Sequence, residues 1–148
     1  MADRYDGAMN SIEILPVDGI PEVGAGDDVA ALILQALRKA QIYLQQGDIL
    51  VVTHKIVSKA EGRFIQTDDD QSYRAAVEDA AETIIRRRGD LVITQTRHGF
   101  ICAIAGVDRS NVKDGRAVLL PIDPDRSAHG IRMKVRQATG IDIPVIIS

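Results

Sequence analysis

A helix-spaced apolar face, followed at once by an unbroken apolar run, is the feature that most limits how this chain can fold. Val29, Leu32, Ile33, Ala36, Leu37, Ala40 and Leu44 recur at the three- and four-residue intervals of an α-helix with one buried face. Asp27 or Asp28 stands where such a helix needs an N-cap. The helix is expected to reach about Gln46, with Gly47 as its stop. Ile49–Thr53 then runs without a polar interruption, as in a central strand covered on both sides. A buried strand beside an amphipathic helix needs layers, so the expected class is α/β, a mixed α+β sheet with flanking helices. Of the residues, 45% are hydrophobic and only 3% aromatic, so Ile, Val, Leu and Ala must build the core, which suits a helix-covered sheet. At 148 residues the chain is long enough to bury such a core as one domain.

Shorter elements complete the outline. Residues 1–10 are polar and glycine-containing and read as a flexible leader; residues 11–148 read as the folded part. Ile12–Val17 reads as a strand closed by the turn Asp18-Gly19-Ile20-Pro21. A helix is expected over Tyr73–Arg87, with Val77, Ala80, Ala81, Ile84 and Ile85 inward; Arg86-Arg87-Arg88 would then complement its C-terminal dipole. Leu91–Thr94 and Phe100–Ala105 form a hairpin through Arg97-His98-Gly99, and Ala117–Leu120 is a further strand. Ser127–Thr139 is a helix with Ala128, Ile131, Val135 and Ala138 on one face, ended by Gly140, and Pro144–Ser148 opens a new apolar strand.

The charge pattern excludes some roles. The net charge is −3 with both signs interspersed, unlike the concentrated cationic face of a nucleic-acid binder. No stretch has the length and apolarity of a membrane span, and the first residues carry no signal-peptide pattern, so the expected compartment is the cytoplasm. The single cysteine, Cys102, lies in an apolar run and reads as a buried structural thiol. His54, His98 and His129 are not at zinc-ligand spacing.

Three polar clusters stand where strands end, the usual place for sites in α/β folds. Thr53-His54-Lys55-Ile56-Val57-Ser58-Lys59-Ala60-Glu61-Gly62-Arg63 brings two lysines, an arginine, two hydroxyls and a glycine together just after a strand. Those are donors for phosphate oxygens, yet no Walker A loop occurs, and a solvated loop fits the residues equally. In Gly106-Val107-Asp108-Arg109-Ser110-Asn111, a carboxylate and an amide suit magnesium or manganese held with phosphates, while an Asx-type turn would explain them alone. Asp123-Pro124-Asp125-Arg126-Ser127 reads first as a helix N-cap.

In order along the chain, Ile14-Leu15-Pro16-Val17-Asp18-Gly19-Ile20-Pro21, Gly26-Asp27-Asp28, Gly47–Thr53, Ser58–Arg63, Ala105–Val112, Leu119–Asp125 and the final apolar strand resemble the coenzyme F420-0:L-glutamate ligase (γ-glutamyl ligase) family. The resemblance implies a GTP-dependent ligase that activates the carboxylate of the deazaflavin coenzyme F420 precursor as an acyl phosphate and joins it to L-glutamate. It implies that Asp18, Gly19, Ile20 and Pro21 line the guanine nucleotide site, that His54, Lys55 and Asn111 contact nucleotide, and that Lys59 holds a phosphate. Asp108 would ligate a divalent cation, magnesium or manganese, and the family forms homodimers. It also implies that the family continues past the final strand into an Asp-Thr pair with further metal ligands. The chain is therefore expected to be the N-terminal part of the ligase domain, incomplete in its site; a nucleotide- and metal-binding module completed by a partner chain is the alternative.

Overall fold

In the computed structural model, which describes residues 12–109 and 115–148, Asp28 accepts a hydrogen bond from the Ala31 amide and starts helix α1, Val29–Lys39. Val29, Ala30, Ile33, Ala36 and Leu37 form its buried face, as their spacing requires. The helix ends earlier than expected. Gln41 takes φ 57°, and the Ile42 amide donates to the Leu37 carbonyl, which closes the last turn well before Gly47. Leu44 leaves the helix but still packs against the core, whereas Ala40 is exposed.

Strand β1 (Leu50–Val52) is not covered on both sides. Leu50 and Val52 are buried and Val51 is 60% exposed, and among the described residues β1 pairs, in parallel, with β7 (Val145–Ile147). The polar segment after it is a short helix, α2 (His54–Ala60), and not a loop. Strand β2 (Phe64–Gln66) pairs antiparallel with β6 (Arg116–Val118). Asp69 and Ser72 form a capping box that starts α3 (Asp70–Ala80), so the helix begins three residues before Tyr73, where it was expected to start.

The largest correction follows α3. The expected helix over Tyr73–Arg87 breaks at Ala81, and Ala81–Arg88 is strand β3, antiparallel to β4 (Leu91–Thr96). The β-branched Thr83, Ile84 and Ile85 favour the pleated state once β4 offers hydrogen-bond partners. Arg86, Arg87 and Arg88 therefore lie exposed at a strand end and meet no helix dipole. The hairpin of β4 with β5 (Ile101–Ala103) forms as read, with reciprocal backbone bonds between Thr96 and the Gly99–Phe100 turn. Cys102, in β5, is only half-buried. The expected strand over Ile12–Val17 does not form: Ile12 and Ile14 are 92% and 87% exposed, and no described strand pairs with the segment.

Helix α4 (Pro124–Thr139) is capped by Asp123, begins with proline, and ends at Gly140 in the left-handed conformation. Ile131 and Val135 are its buried face, while Ala128 is half-buried and Ala138 exposed. The main core joins α1, β1, α2 and α4 through Ile33, Leu37, Val52, Val57, Val135 and Ile143. A second core gathers Val77, Ala105, Val107 and Ala117 under α3. The class is the expected mixed α/β, built from small sheets with flanking helices. None of the described helices is long and apolar enough to cross a membrane.

Candidate functional site

Helix α2 is the axis of the site. Val57 is buried on its inner side, and the helix begins where β1 ends, at the edge shared with β7. The His54 amide donates to the main-chain oxygen of Ser148 at 2.7 Å, and the ring Nδ1 lies 3.0 Å from the same oxygen. Lys55 extends from the first turn and places Nζ 2.6 Å from Oδ2 of Asp108. One turn on, the largely buried Lys59 reaches Glu22 at 3.3 Å.

Asp108 is held by its backbone. Its amide donates to the Val118 carbonyl at 2.9 Å, and the Val118 amide donates back at 2.8 Å, adding a bridge to the β2–β6 pair. Tyr73 donates from its hydroxyl to the Val107 carbonyl, and Val107 is 1% exposed. Burial raises the Tyr73 phenol above its ordinary pKa, with the Asp108 charge adding and the nearby Arg109 guanidinium opposing. Arg109 stacks over the Tyr73 ring at 4.0 Å and pairs with Asp70 at 2.9 Å, so it fastens this loop to the start of α3.

The approach to Asp108 is strained. Ile104, Ala105 and Gly106 take φ of 49°, 52° and 70° in succession, and two of the three are not glycine. A non-glycine residue held in this region costs about 1 kcal/mol or more. Here the Thr94 hydroxyl accepts the Ala105 amide at 3.0 Å, and Ala105 itself is 2% exposed. The kink turns the chain from β5 so that Asp108 faces Lys55.

The structure thus brings some of the sequence candidates together and separates others. Lys55 and Asp108 meet directly. Asp18, Gly19 and Pro21 are exposed beside a half-buried Ile20, which packs with Val17 on the main core, and Glu22 links this segment to Lys59. His54 faces the opposite end of α2. Asn111 lies outside the described residues. Ser58, counted among the phosphate-binding hydroxyls, is fully buried and its hydroxyl meets no hydrogen-bond partner among the described residues, so it cannot face a ligand. Asp123 is an N-cap, as expected.

A second feature was not read from the sequence. A cavity of about 480 Å³ opens beside His54, between β7, the start of α4 and the β4–β5 turn, and is lined by His98, Phe100, Leu120, Pro121 and Asp125 among others. From the sequence His98 reads as a turn residue and Phe100 as the start of a strand, because nothing local shows that this hairpin end reaches α4.

With this geometry in place, comparison with known proteins is decisive. The profile of the F420-0:gamma-glutamyl ligase family matches residues 19–148. The chain belongs to that family. It is 44% identical to the coenzyme F420:L-glutamate ligase of Methanothermobacter thermautotrophicus over 93% of this chain and 61% of that protein. It is 37% identical to the ligase of the same name from Methanopyrus kandleri, over 96% of this chain and 61% of that one. For the Archaeoglobus fulgidus ligase the identity is 32%, over 93% and 59%. This member of the F420-0:gamma-glutamyl ligase family therefore spans about three-fifths of the length of these relatives. Lys55, Lys59 and Asp108 all fall within the matched residues.

Proposed function

We propose that this chain carries the nucleotide-phosphate and metal end of a GTP-dependent ligase that adds L-glutamate to the coenzyme F420 precursor through an acyl phosphate, in a cytoplasmic homodimer. The observation that carries the reading is the meeting of Lys55 and Asp108 at 2.6 Å, with Lys59 one turn along the same helix. Lysine ammonium groups at helical spacing can hold successive phosphate oxygens, and a rigidly mounted carboxylate can share a divalent ion with those oxygens.

The donor set fits magnesium or manganese held jointly with phosphate. Asp108 keeps a side-chain exposure of 31%, so its carboxylate is reachable. Among the described residues no group of three or more His, Cys, Asp or Glu side chains gathers, so a cage made by these residues alone is not the arrangement. Magnesium sites commonly use one or two carboxylates plus substrate phosphates. When bound, the ion would neutralise phosphate charge during transfer.

In the proposed reaction a carboxylate oxygen of the precursor attacks the γ-phosphorus of GTP, and the bond to GDP breaks. The glutamate amine then attacks the acyl carbon, phosphate leaves, and the amine proton is lost as the amide forms. Lys55 and Lys59 would stabilise phosphate charge, Asp108 would hold the ion, and Asp18, Gly19, Ile20 and Pro21 with His54 and Asn111 would line the nucleotide. Exposed apolar residues on β1 and β7, such as Val51 and Ile146, support an assembled form, which light scattering would measure.

The test is calorimetric titration with GDP and manganese. Asp108→Ala is expected to weaken metal-dependent binding about tenfold or more, and Lys59→Ala to weaken it with or without metal. Equal binding by Asp108→Ala and the parent would remove Asp108 as a ligand. Glutamate addition with ATP and none with GTP, read by product mass, would reject the nucleotide assignment.

A further inference from the structure

Helix α2 orders the site along its length. Lys59 and the Asp18–Pro21 segment lie toward its C-terminal end, whereas His54 and Lys55, with Asp108 against Lys55, stand in its first turn, where the 480 Å³ cavity opens beside His54. A rise of about 1.5 Å per residue puts His54 and Lys59 roughly 8 Å apart along the axis. A nucleotide that runs from the Asp18–Pro21 segment along Lys59 and Lys55, and ends its phosphates at His54, would thus leave the part of the cavity beyond His54 open. That is where the second reactant of a phosphoryl transfer must lie, since donor and acceptor approach the phosphorus from opposite sides.

The chemistry of the cavity wall narrows the occupant. His98 Nε2 is 3.0 Å from the Ile122 carbonyl oxygen, which can only accept, so Nε2 carries the proton. In the neutral ring, Nδ1 is then a lone-pair acceptor. It is buried and meets no hydrogen-bond partner among the described residues. A buried acceptor left without a donor is costly, which makes it a place where a ligand N–H or O–H gains binding energy. The Asp125 carboxylate in the same lining is also an acceptor. Among the described residues no lysine or arginine side chain lines the cavity. An anionic group is therefore disfavoured and a donor-bearing one favoured.

The walls favour a flat ring. The His98 and Phe100 rings stand 6.1 Å apart at 31°, and Leu120, Pro121 and Val145 supply apolar surface. Phe100 is 58% exposed, an unusual position for a large aromatic with no partner strand face to cover. A heteroaromatic ring lying against Phe100 and His98 would cover it and gain stacking. The volume lies in the range of small-molecule pockets.

We propose that this cavity binds an uncharged, flat heteroaromatic ring bearing a ring N–H, the ring end of the acceptor substrate, with His98 Nδ1 accepting that N–H. This rests on the ligase reading above, in which the acceptor is a deazaflavin. Guanine shares the flat shape and ring N–H, so the test carries both compounds.

The experiment is fluorescence titration of the protein with a phosphate-free deazaflavin nucleoside, excited in its visible band, where the tryptophan-free chain does not absorb. Saturable quenching is expected for the parent. Phe100→Ala and His98→Phe are each expected to weaken it by about tenfold, and Ala128→Phe, which fills the cavity, to abolish it. Circular dichroism verifies that each variant is folded, and Phe100→Ala, at an exposed position, keeps the test open if another variant is not. No binding by the parent, or parent-like binding by all three variants, overturns the proposal. So does guanosine binding as tightly as the deazaflavin and being lost in the same variants, because the cavity would then be the nucleotide base site. If the parent adds glutamate with GTP while Phe100→Ala and His98→Phe keep the parent KM for the acceptor, the cavity assignment fails and the ligase reading stands. If the parent binds no GDP with manganese but binds the deazaflavin with the expected losses, the ligase reading fails and the cavity remains a ring site.

Discussion

Gly106→Ala is expected to destabilise the protein by about 2–4 kcal/mol, and the structure supplies each contribution. Gly106 has φ 70°, a region where an L-residue costs about 1–2 kcal/mol. A Cβ built there would lie 2.8 Å from Leu120 Cγ and 2.9 Å from both Leu120 methyl carbons. All three branch atoms are too close, so rotating the methyl groups does not relieve the overlap, and the whole side chain must move. Overpacking of this kind typically costs about 1–3 kcal/mol. The smaller conformational freedom of alanine in the unfolded chain returns roughly 0.4–1 kcal/mol. The net effect should lower the melting temperature by roughly 5–15 °C for a chain of this size. Leu120 lines the cavity, which gives its displaced side chain space to enter. The variant should therefore also lose deazaflavin quenching. Urea unfolding followed by circular dichroism gives the free energy, and the fluorescence titration gives the second effect. A stability loss below about 0.5 kcal/mol together with unaltered quenching would refute the reasoning, because it would mean that neither the left-handed backbone nor the contact with Leu120 exists in solution.

Other consequences can be measured with the same protein. Asp28→Ala should cost about 1 kcal/mol, since it removes the cap of α1. The Lys134 hydrogen bond, followed by the Ala31 amide, holds the Asp28 carboxyl below its ordinary pKa; the stability it contributes is present above pH ~4 and lost as pH falls through the depressed folded value. The parent should thus lose more stability than Asp28→Ala between pH 5 and 3, and parallel acid profiles would contradict this cap. Tyr73, its pKa raised by burial, should ionise above the ordinary phenol range, and its contribution to stability should persist below pH ~10 and vanish as pH rises through its folded value. Phenolate absorbance in Tyr73→Phe should lack the uppermost phase; an unchanged titration curve would show that the phenol is not held against Val107.

The elements that could be read from sequence are those set by neighbours along the chain. Asp28, Asp123 and Gly140 fix helix ends through bonds and dihedrals within a few residues, and the Arg97-His98-Gly99 turn joins β4 and β5 by the same local logic. The segment from Ala81 to Arg88 failed because its apolar spacing fits a helix while its state is decided by β4, whose pairing only the tertiary structure reveals. β1 failed similarly: an apolar run says nothing about how many sheet neighbours or layers will cover it, and here Val51 is left exposed. The site divides along the same line. Ordered blocks of residues point to the family, but no spacing in the sequence places Lys55 against Asp108, because that contact depends on the β-bridge at Val118 and the left-handed kink at Ile104–Gly106. The kink carries the argument one step further. Two non-glycine residues in a strained conformation persist only where surrounding contacts over-determine them, here the Thr94 hydroxyl and the buried walls around Ala105 and Val107. Changing Thr94 to valine should therefore disturb the aim of Asp108 more than the β4–β5 pairing in which Thr94 sits, and metal-dependent GDP binding should fall before the hairpin unfolds.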